Sequence, residues 1–210
     1  MAVNINPQVR NYQRLINDIN AIKANTEKAL KATVRDMASR APGWIASEIT
    51  NVYNIKKGEV TPKSSSAKGP QRKAVGVNVQ GNTIDSQTIT YSGTVLTPTH
   101  FRMTPKQRPK STKDEHGKVK RKARPYEVSA EIKKGQRKVL GDEVFLGGNS
   151  GGGEIPFQRR GTARTPIDAI KTLSVPQMVT NEVVGPAIEE KLSEGMEQRF
   201  NHNIERFVGR

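Results

Sequence analysis

The sequence contains no cysteine, few aromatic residues and no long apolar run. Without cysteine, disulfides, thiolate metal sites and cysteine nucleophiles are excluded. Aromatic residues make up 5% and apolar residues 33% of the 210 residues, so we expect a lean hydrophobic core. A transmembrane helix needs roughly 18 consecutive apolar residues, which are lacking. The first residues, Met1-Ala-Val-Asn, show neither the basic nor the apolar region of a signal peptide. We therefore expect no contact with a membrane.

Acidic residues are outnumbered, which gives the chain a strong positive charge. Lysine and arginine total 35 and aspartate and glutamate 20, for a formal net charge of +15 and an isoelectric point near 10.2. An excess of this size predicts a partner that is a polyanion or an acidic protein surface, and it says nothing about the fold.

The N-terminal part has the pattern of a long helix. Asn6-Pro7 is a favourable helix start, and apolar residues recur at spacings of three and four from Val9 to Met37. Pro42-Gly43 predicts the end of this helix, and the apolar residues from Trp44 to Tyr53 predict a second, shorter one.

The middle of the chain alternates apolar and polar residues as antiparallel strands do. Two alternating runs flank Gly81-Asn82, which predicts a β-hairpin. Further strands are predicted at 101–103, 126–132, 144–146 and 155–157. The glycine-rich stretch 147–153 matches no phosphate-binding loop pattern and lies between two strands, so it is interpreted as a flexible hairpin tip.

The C-terminal part returns to helix. Ser174-Val-Pro-Gln177 has the form of a capping box, and Gly185-Pro186 predicts a kink or a new start. The last helix carries one apolar stripe, which is the candidate subunit interface. Its members are Ile188, Leu192, Met196, Phe200, Ile204 and Phe207.

The fold expected is α+β, with a long N-terminal helix and an amphipathic C-terminal helix packed on a central antiparallel β-sheet with long basic loops. We expect a single domain over residues 1–210. It has a helical part (1–54), a β-sheet part (55–160) and a second helical part (161–210).

No arrangement of residues predicts catalysis. The histidines His100, His116 and His202 are far apart in sequence and have no partners at metal-ligand spacing. No Ser-His-Asp set and no pair of carboxylates can be assigned. We therefore expect no enzyme activity, no catalytic residue, no metal and no cofactor.

The strongest local signal is a basic segment at residues 106–124. It is flanked by Pro105 and Pro125, contains Gly117 and lacks apolar periodicity, which predicts an exposed loop or a long hairpin tip. Only Asp114 and Glu115 oppose nine basic residues, an excess of seven positive charges. The nine candidate contact residues are Lys106, Arg108, Lys110, Lys113, Lys118, Lys120, Arg121, Lys122 and Arg124.

Three interpretations of this segment stay open. It contacts the phosphate backbone of nucleic acid, docks on an acidic neighbouring subunit, or is simply solvated. No aromatic residue lies between 106 and 124, which argues against base stacking on single strands. A second basic group, Arg159-Arg160 with Arg164, is expected to form salt bridges with the glutamates of the last helix.

The second half of the chain resembles the prophage minor tail protein Z family, which are tail-completion proteins of long-tailed phages. The resemblance is carried by Val144-Phe145-Leu146, Ile155-Pro-Phe-Gln-Arg-Arg-Gly161, Arg164-Thr-Pro-Ile167 and Leu173-Ser-Val-Pro-Gln-Met178. The helical stretch 29–57 is also similar to the N-terminus of that family. The basic segment 106–124 has no counterpart in the resemblance.

The resemblance implies a structural virion protein of the tail or neck, assembled in the host cytoplasm, that completes the tail and joins it to the head. It implies a ring, with a homohexamer as the first expectation because such junctions follow the sixfold symmetry of the tail. The partners implied are further copies of the chain and adjacent tail-tube, tail-terminator or head-connector proteins. The packaged double-stranded DNA is a further candidate partner. The alternative function is a free, sequence-neutral nucleic-acid-binding protein.

Overall fold

A computed structural model describes residues 12–61, 76–80, 88–149 and 152–208. The predicted helix start at Asn6-Pro7 and the predicted turn at Gly81-Asn82 lie outside these residues. The chain divides into two compact units. Unit 1 comprises Met1–Ala41, Val79–Thr88 and Leu192–Arg210, and unit 2 comprises Pro42–Asn78 and Ile89–Lys191.

The N-terminal helix, α1, runs from Tyr12 to Val52 and contains Pro42. The predicted end at Pro42-Gly43 was therefore wrong, and the shorter helix predicted after it is the continuation of α1. Proline removes one intrahelical hydrogen bond. In unit 2 the burial of Ile45 and Ile49, which are 3% and 0% exposed, offsets that loss by removing apolar surface from water.

In the described residues, ten short strands, three further α-helices and one 3-10 helix (Pro98–His100) follow α1. The helices are α2 (Lys57–Val60), α3 (Val175–Val179) and α4 (Val184–Phe207). The strands are β1 (Gly76–Gln80), β2 (Thr88–Ser92), β3 (Arg102–Thr104), β4 (Thr112–Lys113), β5 (Val119–Arg121), β6 (Ser129–Glu131), β7 (Arg137–Val139), β8 (Phe145–Gly148), β9 (Glu154–Arg159) and β10 (Ile167–Ala169).

The strands form four small sheets instead of one central sheet. Their orders are β1-β2, β10-β9-β8, β3-β6-β7 and β4-β5. The pairings of β3 to β10 are antiparallel, and each strand predicted from alternation has a counterpart. Together with α1 and α4 these sheets give an α+β fold, as expected.

Part of the core of unit 2 is a cluster that connects the two three-stranded sheets. Its buried members are Met103, Val128, Ala130, Val144 and Leu146. Tyr126 packs against this cluster, and its hydroxyl accepts a hydrogen bond of 3.2 Å from the backbone N–H of Leu146. The cluster joins β3 and β6 to β8, so it holds together the sheets from which the basic segment emerges.

The capping box and the restart of the last helix are both confirmed. The Gln177 side chain accepts a hydrogen bond of 2.8 Å from the backbone N–H of Ser174, at the start of α3. Pro186 lies in the first turn of α4, where an amide N–H has no intrahelical partner to lose. Within the described part of the chain, no helix combines the length and apolarity needed to cross a bilayer.

Unit 1 contains a buried polar contact between its α1 and α4 segments. Asn203 is 2% exposed and Thr33 is fully buried. The Asn203 Nδ2 atom donates to Thr33 Oγ1 at 3.2 Å and to Asp36 Oδ2 at 3.3 Å. A buried amide needs such partners because an unpaired polar group away from water costs about 1–3 kcal/mol.

Candidate functional site

The basic segment 106–124 contains a two-stranded hairpin, and we call the whole segment the basic hairpin. Its strands β4 and β5 pair antiparallel. At the tip, the Asp114 carboxylate accepts hydrogen bonds from the backbone N–H groups of His116 (3.1 Å) and Lys118 (2.8 Å). Gly117 has φ 77°, a left-handed conformation that glycine adopts without strain. The tip is thus a defined turn.

All nine basic side chains of the hairpin belong to exposed residues. Arg108 differs from the rest because it anchors the base of the hairpin. Its backbone N–H donates to the Glu154 carboxylate, and its guanidinium Nη2 donates to the Leu146 carbonyl at 2.7 Å. For the other eight side chains, no hydrogen bond or ion pair is formed with any described residue. The basic hairpin therefore exposes eight unpaired cations, among the described residues, to solvent.

In the neighbouring sheet β3-β6-β7, two arginines lie close to a carboxylate. Glu131 lies 3.7 Å from both Arg102 and Arg137. The pKa of Glu131 is lowered, chiefly by the hydrogen bond of 2.8 Å from the Gly135 backbone N–H, with smaller contributions from the two arginines. Here positive charge neutralises a carboxylate inside the same unit.

A second pair closes the β9–β10 sheet. Arg160 donates through Nε at 2.5 Å and through Nη2 at 2.8 Å to the two oxygens of Asp168. These hydrogen bonds lower the pKa of Asp168. The expectation that Arg160 would pair with glutamates of the last helix was wrong, because β10 places Asp168 opposite the end of β9. Arg159 lies over the Phe145 ring, 5.2 Å from its centre.

The candidate subunit interface on α4 is partly covered. Ile188, in unit 2, is 6% exposed and belongs to the core. The five stripe residues in unit 1 are half-buried: Leu192, Met196, Phe200, Ile204 and Phe207. The apolar stripe in the sequence does not show which of its side chains pack inside their own unit and which remain exposed for contact with another subunit.

Sequence reasoning missed one side-chain pair with chemical interest. His100 Nδ1 lies 2.6 Å from Glu59 Oε2, and neither side chain is buried. The two residues are 41 positions apart, so no local pattern signals their contact.

In the part of the chain that the structure describes, no three histidine or carboxylate side chains converge on a metal position. Burial raises the pKa of Tyr91 to about 12.

Comparisons with protein-family models, with curated proteins and with solved structures found no match.

Proposed function

We propose that this protein is a structural virion protein of a long-tailed phage, which forms a ring that completes the tail and joins it to the head or connector. The observation that carries the proposal is the sequence resemblance over residues 144–178 to the minor tail protein Z family. Those residues belong to unit 2 and include β8, β9, β10 and α3, of which the three strands form one sheet. The motifs that carry the resemblance therefore lie in elements that follow one another along this chain.

The α4 stripe supports assembly into a ring. Five half-buried apolar residues of unit 1 leave part of their surface in water, and covering that surface with another subunit is favourable by about 25 cal/mol per Å². A head-to-tail contact of this kind closes into a ring when the rotation allows it. A homohexamer, matched to the tail symmetry, is our first proposal for the copy number.

The basic hairpin supports a contact beyond the ring itself. Eight exposed cations that have no partner among the described residues suit either an acidic surface of a tail-tube, tail-terminator or head-connector protein or the phosphates of the packaged DNA. Charge pairing across such a contact affects specificity and association rate more than affinity. Binding is expected to become strong only when several hairpins of a ring engage together.

The second candidate function is a free, sequence-neutral nucleic-acid-binding protein. The same eight cations favour it, because phosphate neutralisation requires positive charge but no fixed geometry. The two functions differ in where the protein is found. A ring protein is present in purified particles at a fixed, small copy number, whereas a free binder is absent from them and holds duplex DNA with a steep salt dependence.

The test removes the gene from the phage or prophage that encodes the chain and restores it on a plasmid. We expect the deletion to yield filled heads and separate tails by negative-stain electron microscopy, and the plasmid to restore joined particles. A deletion that still yields normal, infectious particles would refute the proposal. Duplex binding by the purified protein, with no effect on particles, would establish the second candidate.

A further inference from the structure

Unit 1 contains an open pocket with an unusual lining. The pocket has a volume of about 380 Å³ and lies between the α1 segment 32–40 and the α4 segment 199–207. Four arginines line it, and Asp36 is the one carboxylate among its described lining residues. The arginines are Arg35, Arg40, Arg199 and Arg206.

The single carboxylate is already engaged. Asp36 Oδ2 lies 3.9 Å from Arg199 Nη1 and accepts a hydrogen bond of 3.3 Å from Asn203 Nδ2. Asn203 is buried and is also bonded to Thr33. Asp36 therefore positions Arg199 and neutralises one charge of the four, which leaves an excess of three positive charges around the opening.

The remaining arginines are available to a ligand. Arg35 and Arg40 form no ion pair with any residue in the described ranges. The Arg206 guanidinium lies 5.1 Å from the centre of the Phe207 ring, a contact that orients the cation without neutralising it. Arg199 and Arg206 are seven residues apart and so lie on one face of α4. Two helices thus direct their guanidinium groups toward one opening.

We propose that this pocket binds a phosphoryl group. A guanidinium is a planar fork of donors that matches the oxygens of phosphate or carboxylate. The pocket uses four arginines and no lysine, which is the composition expected where paired hydrogen bonds matter more than a point charge. A phosphate is favoured over a single carboxylate on grounds of charge, because the pocket has an excess of three positive charges. A terminal phosphoryl group offers three oxygens and a charge of roughly −2, and a phosphodiester backbone offers several phosphates in succession with one negative charge each. The pocket lies in unit 1, so this inference does not depend on the basic hairpin or on the proposed function.

The phosphoryl group has two possible sources, a free phosphate compound and the phosphodiester backbone of DNA. The three histidines of the chain provide local reporters that separate the binding places. His202 lines the pocket, His116 lies at the tip of the basic hairpin, and His100 lies beside Glu59. Ring signals of all three are followed by NMR on the full chain during titration with pyrophosphate, with a short DNA duplex, and with an oligoglutamate peptide.

We expect pyrophosphate or duplex DNA to shift the His202 signals saturably. A shift with pyrophosphate assigns the site to a free phosphate compound, and a shift with duplex DNA alone assigns it to the phosphodiester backbone. The proposal is overturned if neither ligand moves His202, or if the peptide moves it at lower concentration than both. The second result would assign the pocket to an acidic protein segment.

Two matched triple variants complete the test. The pocket variant is Arg35→Gln, Arg40→Gln and Arg206→Gln, and the control is Lys118→Gln, Lys120→Gln and Lys122→Gln in the hairpin. Both remove three positive charges from exposed residues. The pocket variant is expected to weaken binding at His202 by about 100-fold, and the control by less than about twofold. Equal weakening would show that net charge and not the pocket determines binding. The His202 shifts of the unaltered chain test the proposal without any variant.

Discussion

Two regions of unit 2 use positive charge in opposite ways. In the three-stranded sheets, Arg102 and Arg137 lie against Glu131, and Arg160 binds both oxygens of Asp168. In the basic hairpin, eight of nine cations have no partner among the described residues. Charges in the sheets neutralise carboxylates of the same fold, whereas the hairpin charges other than Arg108 form no ion pair with a described residue and repel one another. We infer that the sheets stabilise the fold of unit 2, whereas the basic hairpin binds a partner.

The largest expected effect is in the core between the sheets. Leu146→Ala removes a fully buried side chain from the cluster with Met103 and Val128, and should lower the free energy of unfolding by about 2–5 kcal/mol. Urea unfolding followed by circular dichroism measures it. The control is Val119→Ala in the hairpin, where the side chain is 50% exposed and the change should stay within about 0.5 kcal/mol. Similar losses in the two variants would contradict the comparison.

The next effect tests the close packing of β8 on β9. A Cβ atom on Gly147 would lie 2.8 Å from Phe157 Cδ2, whereas one on Gly148 would meet nothing within 4 Å. Phe157 stacks on Phe145 with ring centres 6.1 Å apart, so a displacement of the Phe157 ring would disturb that contact. Gly147→Ala should therefore destabilise by about 1–3 kcal/mol, and Gly148→Ala should be close to neutral. Thermal unfolding of both variants gives the answer, and equal melting temperatures would refute this packing.

The paired carboxylates of the sheets predict that the stability of the folded protein depends on pH. The pKa values of Glu131 and Asp168 are lowered in the folded protein. Each group therefore contributes stability above its unfolded-state pKa, near 4, and that contribution is lost as pH falls through the lowered folded-state pKa. Melting temperature should fall more steeply between about pH 5 and pH 2 in the unaltered protein than in a Glu131→Gln, Asp168→Asn variant. Identical profiles would show that these pairs do not contribute.

The smallest expected effect on stability is in the hairpin itself. Replacing Lys118, Lys120, Arg121 and Lys122 with glutamine should change the free energy of unfolding by less than about 0.5 kcal/mol, while head joining or DNA retention declines in assembled particles. Arg108 is the one cation of the basic hairpin that is bonded within the described residues, to the Leu146 carbonyl, as the sheet arginines are bonded to their partners. Because Arg108→Gln removes this bond, the substitution should increase amide hydrogen exchange at the hairpin base. Unchanged particles with the fourfold variant would show that the hairpin is not a functional arm.

Local patterns predicted most of the fold. Alternation located the strands, and the capping box located α3, because these signals depend on neighbouring residues alone. The prediction that the N-terminal helix ends at Pro42 was wrong, because the burial of Ile45 and Ile49 outweighs the hydrogen bond that proline removes. That burial depends on tertiary packing, which local patterns do not show.

Long-range pairs explain what sequence reasoning missed at the candidate sites. Composition identified the basic hairpin, since a dense run of cations is visible in the sequence itself. It did not reveal that Arg108 is bonded to Leu146, 38 positions away. The arginine pocket of unit 1 was missed for the same reason, because Asp36 and Asn203 are 167 positions apart and meet only after folding.

Cryo-electron microscopy of intact particles from the encoding phage would show whether this chain forms a ring between head and tail. We expect density for this chain as a ring at the head-proximal end of the tail, with the basic hairpins directed at the neighbouring ring or at the DNA. Complete particles in which every ring between head and tail is accounted for by other proteins would contradict it.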